Sequence, residues 1–255
     1  MYKLHIFQNQ SVEFKTDFNF SHLNSLGLSV FVFLQKSLTN TEKLTYYLDE
    51  AELNRYQQFY YAKDKNNFLI GRFCVKTVVH HLFHIPIRDI QIYQKDIHSK
   101  PEVRGLNKPF FFSITHTADV VAIAFSSESP TGIDIESISS VKAFDLVVNS
   151  YFTQNEANKI KSAVSPEKTF KQFWTRKEAV VKLLGGQLLD QIKSFDVAES
   201  EFIFDEPLYS EQPENIYLYC FEHENEVTGS IAAESQHIKP EFYFINQAQI
   251  DKWTI

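Results

Sequence analysis

Gly132-Ile133-Asp134-Ile135-Glu136 and Trp174-Thr175-Arg176-Lys177-Glu178-Ala179-Val180-Val181-Lys182 bracket the stretch Thr131–Lys182, around which this 255-residue chain is organised. The first segment alternates apolar and acidic residues. It reads as a strand, with Asp134 and Glu136 on one face and Ile133 and Ile135 on the other. The second segment reads as a helix in which Glu178 and Lys182, four apart, share a face. Brought together, three carboxylates and the lysines Lys177 and Lys182 would form a hard-cation site beside a phosphate site. Each piece alone is common: short acidic strands arise by chance, and Lys-Glu pairs on helices are usually solvated. The weight lies in the combination.

The composition, 44% hydrophobic and 22% charged with 24 Phe and 12 Tyr, is that of a folded protein able to bury a sizeable core. Only 7 glycines are present and no G-x-G-x-x-G or G-K-[ST] string occurs, so phosphate binding falls to side chains and a metal. A net charge of -7 speaks against a nucleic-acid partner. Cys74 and Cys220 lie far apart in apolar surroundings and read as reduced core residues. The N-terminal segment lacks a sustained apolar run, and nothing approaches the roughly 20 apolar residues of a membrane span. The expected location is cytoplasmic, without membrane association.

Outward from the central stretch, residues 2–7 and 28–34 read as strands, and about Leu48 to His81 as helical, with Arg72 and Lys76 on a solvated stripe. In Phe112-Ser113-Ile114-Thr115-His116-Thr117 the alternation predicts a strand with one polar face. A lone His is ordinarily a core or surface residue, but the flanking Thr115 and Thr117 favour an anion pocket. Val120–Phe125 follows as an apolar strand. Thr153 and Glu156 fit a capping box, and a long helix runs from about Glu167 to Leu184, stopped by Gly185-Gly186. Phe195–Val197, Phe202–Phe204, Ile216–Tyr219 and Gly229–Ala232 read as antiparallel strands. The expected fold class is α+β, with two similar halves in pseudo-twofold relation packed together, each holding an antiparallel sheet and a long helix. The expected division is an N-terminal half at 1–117 with nucleotide-side contacts, a C-terminal half at 118–235 with the metal and catalytic motifs, and a tail at 236–255.

Gly132-Ile133-Asp134-Ile135-Glu136 followed by Trp174-x-x-Lys177-Glu178-Ala179-x-x-Lys182 resembles the signature of the 4′-phosphopantetheinyl transferase superfamily. Lys100-Pro101 and the Phe112–Thr117 strand look like two further family elements in the expected order. The length and two-half layout resemble the surfactin-synthetase-associated type, in which a monomer is sufficient. The resemblance implies Mg²⁺-dependent transfer of 4′-phosphopantetheine from coenzyme A, the substrate, to a serine of an apo acyl or peptidyl carrier protein. Adenosine 3′,5′-bisphosphate would be the other product. By the same resemblance Asp134, Glu136 and Glu178 match the metal carboxylates, and Lys177 and Lys182 match lysines near the pyrophosphate. Thr115 and His116 match the 3′-phosphate contacts, and Lys100 and Pro101 the loop beside the nucleotide. Glu178, Lys182 and Asp134 are the implied catalytic set. Glu178 also resembles the family's general base, although a carboxylate bound to Mg²⁺ is a weaker base.

The chain departs from the family pattern in places. Ser113 replaces an amide, Ser99 replaces a Gly, and Ala51, Glu52, Leu53 and Asn54 supply no basic residue where the surfactin type has them; Arg72 matches a common family arginine. Lys159, Lys161, Lys168, Lys171, Arg176 and Lys193 offer local positive charge for an acidic carrier, or else a solvated helix face. Two alternatives stay open: a catalytically degenerate homologue that binds a carrier protein or nucleotide, and a Mg²⁺ phosphohydrolase using the same carboxylates.

Overall fold

Buried apolar side chains separate into two clusters, and each is the core of one unit of the fold. The computed structural model describes residues 1–16, 18–20, 27–95, 99–117, 119–139, 141–185, 191–208, 212–224, 226–236 and 239–254. In chain order the elements begin with strands β1 (Tyr2–Ser11) and β2 (Leu28–Leu34), helices α1 (Glu50–Gln58) and α2 (Ala62–Phe83), and the short strands β3 (Ile92–Tyr93) and β4 (Glu102–Val103). Strands β5 (Phe111–Thr117), β6 (Val120–Ser126) and β7 (Thr131–Ser137) follow, then helices α3 (Phe144–Tyr151), α4 (Gln154–Ser162) and α5 (Pro166–Leu183). The chain closes with strands β8 (Glu201–Phe204), β9 (Asn215–His223), β10 (Val227–Ala233) and β11 (Glu241–Phe244) and helix α6 (Gln247–Trp253).

The site unit comprises Met1–Val12, Lys95–Lys100 and Ser129–Lys239; the second unit comprises Glu13–Gln94, Pro101–Glu128 and Pro240–Ile255. These borders differ from a 1–117, 118–235 and 236–255 partition, and strand pairing is the reason. β1 inserts between β8 and β9 in the sheet β7-β10-β9-β1-β8, so the N-terminus belongs with the C-terminal elements. β6 pairs with β2 and β5 in the sheet β11-β2-β6-β5, which moves the border past Ser126. The C-terminal residues are part of that second sheet: β11 pairs in parallel with β2, and Trp253 of α6 enters the same core as Phe31 and Phe73. The architecture is α+β as expected, but neither sheet is purely antiparallel. Each holds one parallel pair, β1–β9 in one and β2–β11 in the other.

In the second unit, the helical stretch is two helices rather than one. Asp49 and Glu52 form a reciprocal capping box at the start of α1, and the chain leaves helical geometry at Phe59 before α2 begins. α2 is buried continuously from Leu69 to Val79, as a helix enclosed on all sides must be. Gly71 lets it approach β5, since a Cβ there would lie 3.3 Å from Ile114 Cδ1.

In the site unit, α4 starts at the anticipated box: the Glu156 amide donates to Thr153 Oγ1 at 3.1 Å and the Thr153 amide to Glu156 Oε2 at 2.8 Å. α5 carries Pro166 in its first turn, where a missing N–H costs nothing. Gly185 at φ 103° follows its end; Gly186 lies outside the described residues. Phe195–Val197 is irregular chain instead of a strand, with Phe195 and Val197 both fully buried. Phe170, Phe173, Val180, Val181 and Leu183 anchor α5 in the core, at about 1.5–3 kcal/mol for each fully buried large side chain.

α5 packs closely on β7. A Cβ on Gly132 would stand 2.2 Å from the Ala179 carbonyl oxygen and 2.4 Å from the Leu183 amide nitrogen. Helix backbone therefore rests directly on strand backbone, which only glycine permits. Gly132→Ala is expected to destabilise the protein by about 1–3 kcal/mol or more, because neither backbone can yield as a side chain would. Urea unfolding measures this, and a loss below about 0.5 kcal/mol would mean that α5 is free to lift away.

Candidate active site

The face of β7 that Gly132 opens to α5 also carries Asp134 and Glu136. Their neighbours on β10 are Ser230 and Thr228, and Glu222 on β9 completes the row. α5 meets this row with a polar stripe at helical spacing. Lys168 Nζ lies 2.8 Å from Glu222 Oε2, Lys171 Nζ 2.8 Å from Glu136 Oε2, and Lys182 Nζ 2.7 Å from Asp134 Oδ1. Between these levels the buried hydroxyls of Thr175 and Ser230 are 3.0 Å apart. The stripe reads against the strand in antiparallel sense, so the lysine nearest the end of α5 meets the carboxylate nearest the start of β7.

Glu178 stands on the same helix face as Lys182 and is half-buried. Burial pushes its carboxyl above the usual range, the Asp134 charge adds to this, Lys182 opposes it, and Glu136 adds a smaller push. The three sequence-nominated carboxylates are thus brought together closely enough to feel one another. This oxygen-only, charge-dense donor set suits a hard divalent cation, with Asp134, Glu136 and Glu178 as the residues that would hold it. Among the described residues, however, no three His, Cys, Asp or Glu side chains converge at metal-ligating spacing. Asp134 and Glu136 are each turned to a lysine, whose ammonium stands where positive charge is needed.

Lys177 does not join them. The matched lysine of the motif is fully buried, 3.1 Å from Glu156 Oε2, and donates to the Ile192 and Phe195 carbonyls at 2.6 Å each. Glu156 Oε1 in turn accepts from the Val197 amide at 2.8 Å. The expectation of a pyrophosphate contact is corrected here: Lys177 fastens the irregular 191–197 segment to α4 and α5. Burial pulls its ammonium below the usual lysine range, against the charge of Glu156.

Lys100, expected beside the nucleotide, donates to the Leu183 carbonyl at 2.7 Å and so caps the C-terminal end of α5. Pro101, its neighbour, belongs to the second unit, as do Arg72, Thr115 and His116. Arg72 is buried, its Nε 3.1 Å from Glu52 Oε1, while Lys76 reaches Glu52 Oε2 at 2.6 Å. Arg72 and Lys76 are therefore no solvated stripe, and the Arg72 guanidinium is committed to an internal carboxylate. Thr115 is buried and His116 exposed; adjacent strand residues point to opposite faces, so the two do not form one cradle. A cleft of about 420 Å³ in this unit, lined by Asn40, Lys43, Tyr46, Tyr47, Asp251 and Thr254, contains none of the nominated residues.

The lysine cluster nominated for an acidic partner is largely neutralised. Lys159 pairs with Glu199, Lys168 with Glu222 and Lys171 with Glu136, while Arg176 is buried against the Val197 carbonyl. Lys161 and Lys193 converge on Asn149 of α3.

Lys171 was legible as one lysine of a cluster, not as a partner of Glu136. The missed signal is its spacing: seven residues before Glu178 places it on the same helix face, two turns earlier.

Lys100 generates a pH prediction. Burial pulls its ammonium from 10.5 down to about 8, with Glu234 opposing. Between those values the unfolded chain binds more protons than the folded one, so this residue makes stability rise with pH across that window. Lys100→Met should lose that rise, and the wild type should gain relative to the variant between pH 8 and pH 10 in urea unfolding. A difference that does not change with pH would mean that Lys100 titrates as an exposed lysine.

The model of the 4′-phosphopantetheinyl transferase superfamily matches residues 130–236, and that of the 4′-phosphopantetheinyl transferase N-terminal region matches residues 35–128. The chain is 30% identical over 148 residues to the 4′-phosphopantetheinyl transferase psf-1 of Bacillus pumilus, covering 57% of this chain and 61% of that one. It is 25% identical over 180 residues to the transferase gsp of Aneurinibacillus migulanus, covering 70% and 69%. To the transferase AcpT of Escherichia coli it is 36% identical over 91 residues, 34% and 46%. The alignment thus spans less than two thirds of the psf-1 and AcpT proteins. Two family models in succession, one for each half, together with these relatives establish that the chain belongs to the 4′-phosphopantetheinyl transferase superfamily.

Proposed function

We propose that this protein transfers 4′-phosphopantetheine from coenzyme A to a serine hydroxyl of an apo acyl or peptidyl carrier protein, in a Mg²⁺-dependent reaction. The observation that carries the proposal is the gathering of Asp134, Glu136, Glu178 and Lys182 on one face where α5 rests on Gly132. In this reaction the serine oxygen bonds to the phosphorus that bears pantetheine. The bond from that phosphorus to the bridging oxygen breaks, and adenosine 3′,5′-bisphosphate leaves. Mg²⁺ bound to the three carboxylates would offset charge on the pyrophosphate. Glu178 resembles the family's general base for the hydroxyl proton, a role that ranks below its role as a metal ligand because a carboxylate bound to Mg²⁺ is a weaker base. Lys182, partly exposed, supplies the positive charge for the leaving phosphate. Action as a cytoplasmic monomer belongs to the same proposal.

The commitment of Lys177 and Arg72 to internal carboxylates favours a second reading, a binding module without catalysis. Mass spectrometry of an apo carrier protein incubated with the chain, Mg²⁺ and coenzyme A separates the two. A phosphopantetheine adduct on serine is expected, and Glu178→Gln should abolish it while the fold persists. No adduct on fatty-acid, polyketide or peptide carriers would leave the binding module.

The two motif lysines should also part company. Lys182→Met should lower kcat/KM about 10²–10³-fold with little loss of stability. Lys177→Met should cost about 3–5 kcal/mol of stability by orphaning Glu156, yet leave the KM for coenzyme A of the folded fraction unchanged. Equal kinetic effects of both would return Lys177 to the substrate site.

A further inference from the structure

Lys171 lies outside the Trp174–Lys182 motif, yet its ammonium is 2.8 Å from Glu136, one of the three carboxylates suited to a divalent cation. Both side chains are largely enclosed, at 15% and 23% exposure, so solvent screens the pair less than it would a surface bridge. The geometry of α5 explains why this lysine can reach. Lys171, Thr175, Glu178 and Lys182 follow one stripe, and the Thr175–Ser230 contact holds that stripe against the sheet. Asp134 and Glu136 lie about 7 Å apart along the strand, while Lys171 and Lys182 lie about 16 Å apart along the helix. The two lysines therefore approach the acidic pair from opposite ends, and long flexible side chains close the difference.

We propose that Lys171 is a built-in counter-ion of Glu136 that competes with the divalent cation, so that metal affinity in this chain is set by the displacement of a lysine. The inference rests on the metal-site reading above. Asp134 carries a matching lysine, Lys182 at 2.7 Å, and Glu136 becomes a ligand when the Lys171 ammonium swings away. Lys171 touches a ligand and not the reacting atoms. It is a positioning residue whose role is read in metal affinity rather than in turnover.

The test is Mn²⁺ binding to the full chain without coenzyme A, followed by the electron paramagnetic resonance of free Mn²⁺, with circular dichroism as the check of fold. Lys171→Met is expected to lower the Kd for Mn²⁺ about tenfold, the equivalent of one partly buried ion pair. Glu136→Gln alone should change the Kd less than about threefold, and in the Lys171→Met background it should cancel the gain. If Lys171→Met folds poorly, Lys171→Gln removes the same charge while keeping a hydrogen-bond donor, and the same gain is expected. Unchanged or weaker Mn²⁺ binding by the folded variant overturns the proposal. Asp134→Asn separates the two levels. Weakened binding in Asp134→Asn with no effect of Lys171→Met refutes the counter-ion alone. Unaltered binding in Asp134→Asn refutes the metal-site reading and this inference with it.

Discussion

The contact between the backbone of α5 and Gly132 of β7 governs the geometry of the site unit. A helix normally stands off a sheet by the thickness of its side chains, and here at one residue it does not. Because strand side chains alternate, removing the Cβ at 132 brings the helix down over the face that also bears residues 134 and 136. The acidic side chains are thereby held beneath α5 instead of in open solvent, where only an internal cation or a bound one can balance them. Between the lysine–carboxylate contacts, the Thr175–Ser230 hydroxyl pair joins helix to sheet.

Electrostatics then decides which lysines serve the site. Three carboxylates within mutual influence are unfavourable unless positive charge approaches, and α5 brings two ammonium groups to them. A divalent cation and lysine are alternative solutions to one problem. Burial pushes the Glu178 carboxyl up and the Asp134 charge adds to this, while Lys182, which is paired with Asp134, opposes it.

How much of this was legible in the sequence divides by distance along the chain. Alternation in 132–136, the Thr153–Glu156 capping box and the extent of α5 depend on neighbours a few residues away, and the structure repeats them closely. The partners of the charged residues do not. Lys177 finds Glu156 and the carbonyls of a segment beyond α5, and Arg72 finds Glu52 on a separate helix. One signal was nonetheless present. Lys177 and Lys182 are five apart, which sets them about 140° apart around a helix, so they do not share one helix face. Lys171 and Glu178, seven apart, fall within about 20° of one line. Family motifs record which residues recur together, and helical phase records which can meet.

Sheet connectivity was hidden for a different reason. A run such as Leu28–Leu34, buried from Leu28 to Phe33, announces enclosure on both faces but not the identity or direction of its neighbours. One partner in each sheet comes from a chain end: β11 lies parallel to β2, and β1 lies parallel to β9. Neither sheet can be completed from one contiguous half of the sequence. The sheet that carries Asp134 and Glu136 on β7 at one edge is finished toward the other by the N-terminal strand, which separates β8 from β9. The sheet that bears the acidic pair thus includes the N-terminal strand, and a cut between residues 117 and 118 would leave the site unit with a gap in its sheet.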